Sequence, residues 1–194
     1  MLKCIVQDKF PTVVVAIMGP TCAGKSTLLE RLKTELGERA SFVEVGKMLR
    51  AKYPPEYFQG QNNPKHTAQE AWDLCVEGID RGRREGRAFV FVDGQPRDIP
   101  QTDAMVALGV SRYLLLTCSI EESENRARAS RSGADLETLA LPRIRNDRVA
   151  YYEVLMRLNF HGKRVDIVYT DTTPEAVFSR VRNRLVIYAA SSNQ

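Results

Sequence analysis

The residues best suited to chemistry form one short run: Gly19-Pro20-Thr21-Cys22-Ala23-Gly24-Lys25-Ser26, with Thr27 next. The run fits G-x-x-x-x-G-K-[ST]. Glycines let the backbone curl until successive N–H groups point inward at phosphate oxygens. A helix opening at the end of such a loop adds the positive end of its dipole. Lys25 then offers a mobile ammonium to the β- and γ-phosphates of a nucleoside triphosphate, and Ser26 offers a hydroxyl to Mg²⁺. Gly19, Thr21, Cys22, Ala23, Gly24, Lys25, Ser26 and Thr27 are therefore the candidate triphosphate contacts. Cys22 has no partner in the sequence for a nucleophilic role and reads as a small loop residue.

A second constellation is Asp93-Gly94-Gln95-Pro96-Arg97, followed by Gln101. An acid at the carboxyl end of a buried strand is well placed to hold Mg²⁺ through water. Gly94 and Pro96 force a turn that brings backbone close to a ligand, and Arg97 presents a planar fork to phosphate. The stretch from Arg126 to Arg131 is basic at short spacing and reads as a phosphate clamp beside these two motifs. His66 and His161 lie in ordinary surroundings. Were the reaction phosphoryl transfer, a general base would not be required, because a loose transition state depends on positioning and charge neutralisation.

These side chains need a scaffold, and the hydrophobic pattern supplies one. Thr12–Met18, Ala88–Val92 and Arg112–Cys118 are short and largely apolar, as strands covered on both faces should be, and Ser41–Val45 and Arg164–Tyr169 are two further short strands by their pattern. Between them, residues 26–36, 47–52, 67–84, 101–108, 120–129, 144–158 and 175–188 carry helical patterning. In residues 67–84 the apolar positions include Trp72, which reads as a core anchor. Thr173 before Pro174 predicts a helix N-cap. Residues 53–64 predict an exposed loop, and residues 191–194 a frayed end. Strand and helix alternate about five times, which predicts a doubly wound α/β fold: a parallel sheet of about five strands flanked by helices.

Length and composition narrow the class. The 194 residues, 43% hydrophobic and 27% charged, suit a single domain with a sizeable core. A net charge of +4 is mild for a nucleic-acid binder, and neither nucleic acid nor membrane is an expected partner. Cys4, Cys22, Cys75 and Cys118 are widely spaced, which argues against zinc or disulfide scaffolding and for a reducing compartment. Residues 1–11 lack the apolar region of a signal peptide. The expectation is a cytoplasmic monomer.

From Val13 to Val181 the order and spacing of motifs resemble the adenylate kinase family of P-loop nucleoside monophosphate kinases. Asp93-Gly94-Gln95-Pro96-Arg97 with Gln101 is similar to the family's D-G-[FY]-P-R-x-x-x-Q signature. Val45-Gly46-Lys47-Met48-Leu49-Arg50 is similar to its G-D-x-L-R segment. Lys47 stands where the family has aspartate, and Gln95 where it has an aromatic. The resemblance implies P-loop NTPase architecture, with a mobile acceptor-binding segment near residues 46–80 and a short lid near residues 126–148. It implies that Arg50 and Arg97 grip a monophosphate, that Gly94 and Gly46 border it, and that Gln101 meets its base. Arg126 would cover the ATP base. Arg131, with one of Arg143, Arg145 or Arg148, would neutralise the transferring phosphoryl group. The implied substrates are ATP with Mg²⁺ and a nucleoside monophosphate, AMP before others. Another nucleotide or small-metabolite acceptor, or an ATP-binding relative without turnover, are the alternatives.

Overall fold

The computed structural model describes residues 11–54, 65–133 and 135–191. Val13–Met18 (β1) is buried along its whole length, because both faces of the strand are covered. Ala40–Val43 (β2), Phe89–Asp93 (β3), Arg112–Thr117 (β4) and Val165–Tyr169 (β5) complete a sheet in the order β2-β3-β1-β4-β5. Every pairing is parallel. The helices are Lys25–Leu36 (α1), Val45–Lys52 (α2), Lys65–Arg84 (α3), Ile99–Ala107 (α4), Ile120–Ser130 (α5), Leu141–Phe160 (α6) and Pro174–Ser191 (α7). The fold is α/β, with helices on both faces of an all-parallel five-stranded sheet.

The period of two along β1 divides the core. Val13, Val15 and Ile17 face Leu28, Leu29, Leu32 and Leu36 of α1, together with Val177, Val181, Leu185 and Tyr188 of α7. Val14, Ala16 and Met18 face the other way, toward Cys75 and Ile79 of α3, Met105 of α4, and Tyr151, Val154 and Leu158 of α6. Each fully buried leucine contributes about 1.5–3 kcal/mol relative to an exposed one. Against β2 and β3, α3 sits close enough that a Cβ on Gly82 would lie 2.4 Å from Ser41 Oγ and from Val90 Cγ2. Only glycine permits that approach. Trp72 is half-buried against this second core, as its helical spacing predicts.

Several helices start before the residue that the hydrophobic pattern marks. α4 begins at Ile99, before the predicted Gln101, because the Asp98 carboxylate accepts the Gln101 N–H and Pro100 sits in the first turn. α6 begins at Leu141 with Pro142 in its first turn, and a π-helical turn over residues 135–140 runs directly into it. α2 begins at Val45, a residue assigned to the strand by its pattern, because the Glu44 carbonyl accepts from Lys47 and Met48. The Thr173 cap of α7 is present, its Oγ1 accepting the Ala176 N–H at 3.3 Å. The predicted loop over residues 53–64 and the frayed end fall largely outside the described residues. No described helix is long and apolar enough to cross a membrane.

Candidate active site

The loop from Gly19 to Gly24 leaves the carboxyl end of β1 and enters α1. At Gly19, φ is +144°, and a Cβ would lie 2.2 Å from the Leu116 carbonyl oxygen, so only glycine allows the loop to cross β4. Gly24, in the left-handed region, turns the chain into the helix. Its carbonyl receives the Leu28 N–H at 3.1 Å, so the amides of Lys25, Ser26 and Thr27 belong to the open end of α1. Cys22 also has positive φ, at 63°. Its side chain packs against Ala127, Ala140 and Ile144, which ties the loop to α5 and α6.

Lys25 folds back over this loop, its Nζ donating to Gly19 O at 2.6 Å and Pro20 O at 2.8 Å. Burial lowers its pKa to about 8; Asp93 opposes the shift, and the like charge of Arg97 adds to it. Asp93 ends β3 beside Ile17 of β1. Burial pushes its carboxyl upward, against the pull of Lys25. Its Oδ1 is buried without a hydrogen-bond partner among the described residues, an acceptor that suits a donor brought by a ligand, such as metal-bound water. No group of three or more His, Cys, Asp or Glu that could hold a metal occurs among the described residues.

The turn after Asp93 orients Arg97. Gly94 has φ +71°, and its N–H donates to Ile17 O at 2.8 Å. The Arg97 Nε donates to Gly94 O at 2.8 Å, and its Nη2 would lie 3.1 Å from a Cβ on Gly94. The Arg97 backbone N–H donates to Gln101 Oε1 at 2.9 Å, which leaves the Gln101 amide nitrogen as a donor. Gln101 lines a cavity of 240 Å³ with Gln69, Ala71, Trp72, Gln95, Asp98 and Pro100. Trp72 thus serves the core and also walls this cavity.

A second cavity, of 330 Å³, opens where Gly24, Thr27 and Leu28 meet Arg31, Arg126, Thr170 and Pro174. Arg126 is held at its edge. Its Nη2 donates to Thr170 O at 2.5 Å and its Nε to Glu122 Oε1 at 2.7 Å.

Of the remaining predicted arginines, Arg143 comes closest to the group. Its guanidinium is held below its ordinary pKa by partial burial first and then by Arg97; Asp147 and Tyr151 oppose the shift, and Arg131 adds to it. Lys25, Asp93, Arg97 and Arg143 therefore form one electrostatic cluster, with Arg131 exposed at its margin. Arg148 is not brought there: its Nη2 donates to Cys118 O at 2.7 Å and Ser123 Oγ at 3.2 Å. Arg145 pairs with Glu124 at 3.2 Å. Arg50 folds back over Gly46 on α2. Lys47 pairs with Glu44 at 2.7 Å and Glu30 at 3.0 Å, and these bonds raise its pKa.

The structure adds residues that the motifs do not signal. Asp147 receives both the backbone N–H and the hydroxyl of Thr21. Tyr151 contacts the Gly19 backbone. Thr170, Thr172 and Pro174 bring the loop after β5 to the larger cavity. A four-residue step from Arg143 to Asp147 and on to Tyr151 was the available signal for the first two. Chemically, the assembly offers amides and three cations to a polyanion. No protein-family model and no curated protein matches this chain.

Proposed function

We propose that the chain is a P-loop nucleoside monophosphate kinase of the adenylate kinase type, converting ATP and AMP into two ADP. One observation carries this reading: Lys25, Arg97 and Arg143 converge with Asp93 in one electrostatic cluster, and residues close in sequence to Lys25 and to Arg97 line two different cavities. One cavity adjoins Lys25 through Gly24 and Thr27, and the other adjoins Arg97 through Gln95 and Gln101. Two nucleosides bound in them would direct their phosphates toward the same cations.

In this mechanism an oxygen of the AMP phosphate attacks the γ-phosphorus of ATP. The bond from that phosphorus to the bridging β-oxygen breaks, and its electron pair leaves with ADP. No proton transfer from a side chain is needed. Lys25 and the amides at the start of α1 hold the donor phosphates. Arg97 holds the acceptor phosphate, and Arg143 neutralises charge on the group in transit, with Arg131 beside it. Arg126 borders the donor base, and the free amide nitrogen of Gln101 donates to the acceptor base. Ser26 and Asp93 fit Mg²⁺, Ser26 by its hydroxyl and Asp93 by its unpartnered oxygen through water. When bound, Mg²⁺ draws charge from the phosphates. Segments 46–80 and 126–148 would close over the acceptor and ATP and exclude water. A cytoplasmic monomer belongs to the same reading.

The test is a coupled assay with ATP over AMP, dAMP, CMP, UMP, GMP, dTMP and shikimate. AMP is expected to turn over fastest. Turnover with shikimate alone would overturn the nucleotide acceptor, and ATP binding without any turnover would favour a regulatory protein. Arg97→Ala is expected to lower kcat/KM by about 100-fold or more while the fold survives; near-normal activity would show that the arginine has been misassigned.

A further inference from the structure

A carboxylate beside a phosphate cradle is electrostatically out of place, since it repels the ligand that the surrounding cations attract. Asp147 is such a group, and its side chain is only 20% exposed. A single oxygen, Oδ2, receives the Thr21 N–H at 2.8 Å and the Thr21 hydroxyl at 2.7 Å. Hydrogen bonds to an ionised acceptor are about twice as strong as neutral ones. The other oxygen, Oδ1, lies 3.8 Å from Arg143 Nε, one helical turn back. Arg143, Asp147 and Tyr151 recur at four-residue steps, so all three lie along one face of α6. The first meets the cation cluster, the second meets Thr21, and the third contacts the Gly19 backbone. The donor loop and the arginine are thereby joined through one carboxylate.

Resting on the kinase reading above, we propose that Asp147 is a positioning residue, which docks α6 onto the Thr21 turn and sets Arg143 at the γ-phosphate of bound ATP. It touches neither substrate. Its negative charge also restrains Arg143, which would otherwise move away from Arg97 and Lys25 while the phosphates are absent. A neutral acceptor at this position would hold Thr21 without restraining the arginine, which explains why a carboxylate is present despite its repulsion of ATP.

The experiment measures kcat, both KM values and Tm for Asp147→Ala, Asp147→Asn, Arg143→Ala and the double variant Asp147→Ala/Arg143→Ala. Asp147→Ala is expected to lower kcat by about tenfold, a factor equivalent to 1.4 kcal/mol, with the acceptor KM nearly unchanged. In the Arg143→Ala background the same change should cost less than about twofold, because contacts that act through one another are not additive. Asp147→Asn, which keeps an acceptor for Thr21, should recover part of the loss and also covers the case in which the alanine variant fails to fold. An equal loss in both backgrounds, or a lower Tm with unchanged kcat, would reduce Asp147 to a structural staple and overturn the proposal. If the wild-type chain transfers phosphate to no acceptor, the kinase reading fails, and calorimetry with ATP and ADP still decides the positioning role. The alanine change should then weaken ATP about tenfold more than ADP. An equal effect on both nucleotides overturns the positioning role, and binding of neither by the wild-type chain overturns both proposals.

Discussion

Lys25 is the residue whose charge state most directly controls the proposed chemistry. In the free protein its pKa is lowered to about 8, with burial as the leading cause. Bound phosphates favour the ammonium and raise that pKa, so binding above pH 8 must take up a proton. ATP affinity is therefore expected to fall as pH rises past about 8, by up to about tenfold per unit until the bound-state pKa is reached. Calorimetric titrations of ATP between about pH 7 and 9.5 check this, with Lys25→Arg as the reference, because arginine keeps its charge throughout. A wild-type profile as flat as that of the arginine variant would refute the coupling. Folding responds with the opposite sign. The unfolded lysine, near 10.5, binds more protons than the folded one between pH 8 and 10.5, so this group alone makes stability rise with pH across that window.

At the level of elements, α3 carries the side chains that wall the smaller cavity, and its distance from the sheet is set by a steric fact. Gly82 faces Ser41 and Val90 with no room for a Cβ. Gly82→Ala forces either α3 or the Ser41 and Val90 side chains to shift, and displacement of the helix from β2 and β3 is expected to cost about 1–3 kcal/mol. At this chain length each kcal/mol lowers Tm by roughly 2–4 °C. Because Gln69, Ala71 and Trp72 ride on the same helix, the acceptor KM should rise while the ATP KM holds. Thermal melts and initial rates measure both, and an unchanged Tm would mean that the helix tolerates the methyl group without moving. The turn between β3 and α4 works by a different device. Asp98 caps α4 through the Gln101 N–H, while the Gln101 side chain returns to the Arg97 N–H. This reciprocal pair couples the arginine to the residue that lines the cavity, so Asp98→Ala is expected to cost about 1 kcal/mol of stability and to loosen both groups. Calorimetric binding of AMP checks the second effect; undiminished affinity would show that the cap acts on the helix alone.

Across the whole molecule, the cations sit where loops leave the carboxyl ends of neighbouring parallel strands, the general location of ligand crevices in open α/β sheets. β1 lies centrally, between β3 and β4, so its loop reaches Asp93 on one side and Leu116 on the other. Ligands that bind only the folded state raise Tm by mass action. ATP and AMP are expected to raise it separately if, as proposed, they occupy different cavities. Removal of Mg²⁺ by a chelator should abolish turnover while leaving the melting temperature of the ligand-free protein unchanged. A fall in that temperature would indicate a structural metal instead.

The sequence by itself determined the elements and the contiguous motifs on which the proposed phosphate chemistry rests. Five short runs became the five strands, and the glycine loop, Asp93 and Arg97 are contiguous motifs whose geometry follows from the strand ends that carry them. Trp72 was legible as a core anchor for the same reason, through its helical period. The partners of the arginines were decided only by the tertiary structure. Arg143 and Arg148 are one turn and a half apart on α6, and they look equivalent in sequence. The rotation of that helix sends one to the cation cluster and the other to Cys118 and Ser123. Asp147 reaches Thr21 across 126 positions of chain, and no local pattern encodes a contact between residues so far apart. Such pairings are set by how the packed faces of the helices orient against the sheet, a property of the assembled core and not of any single segment.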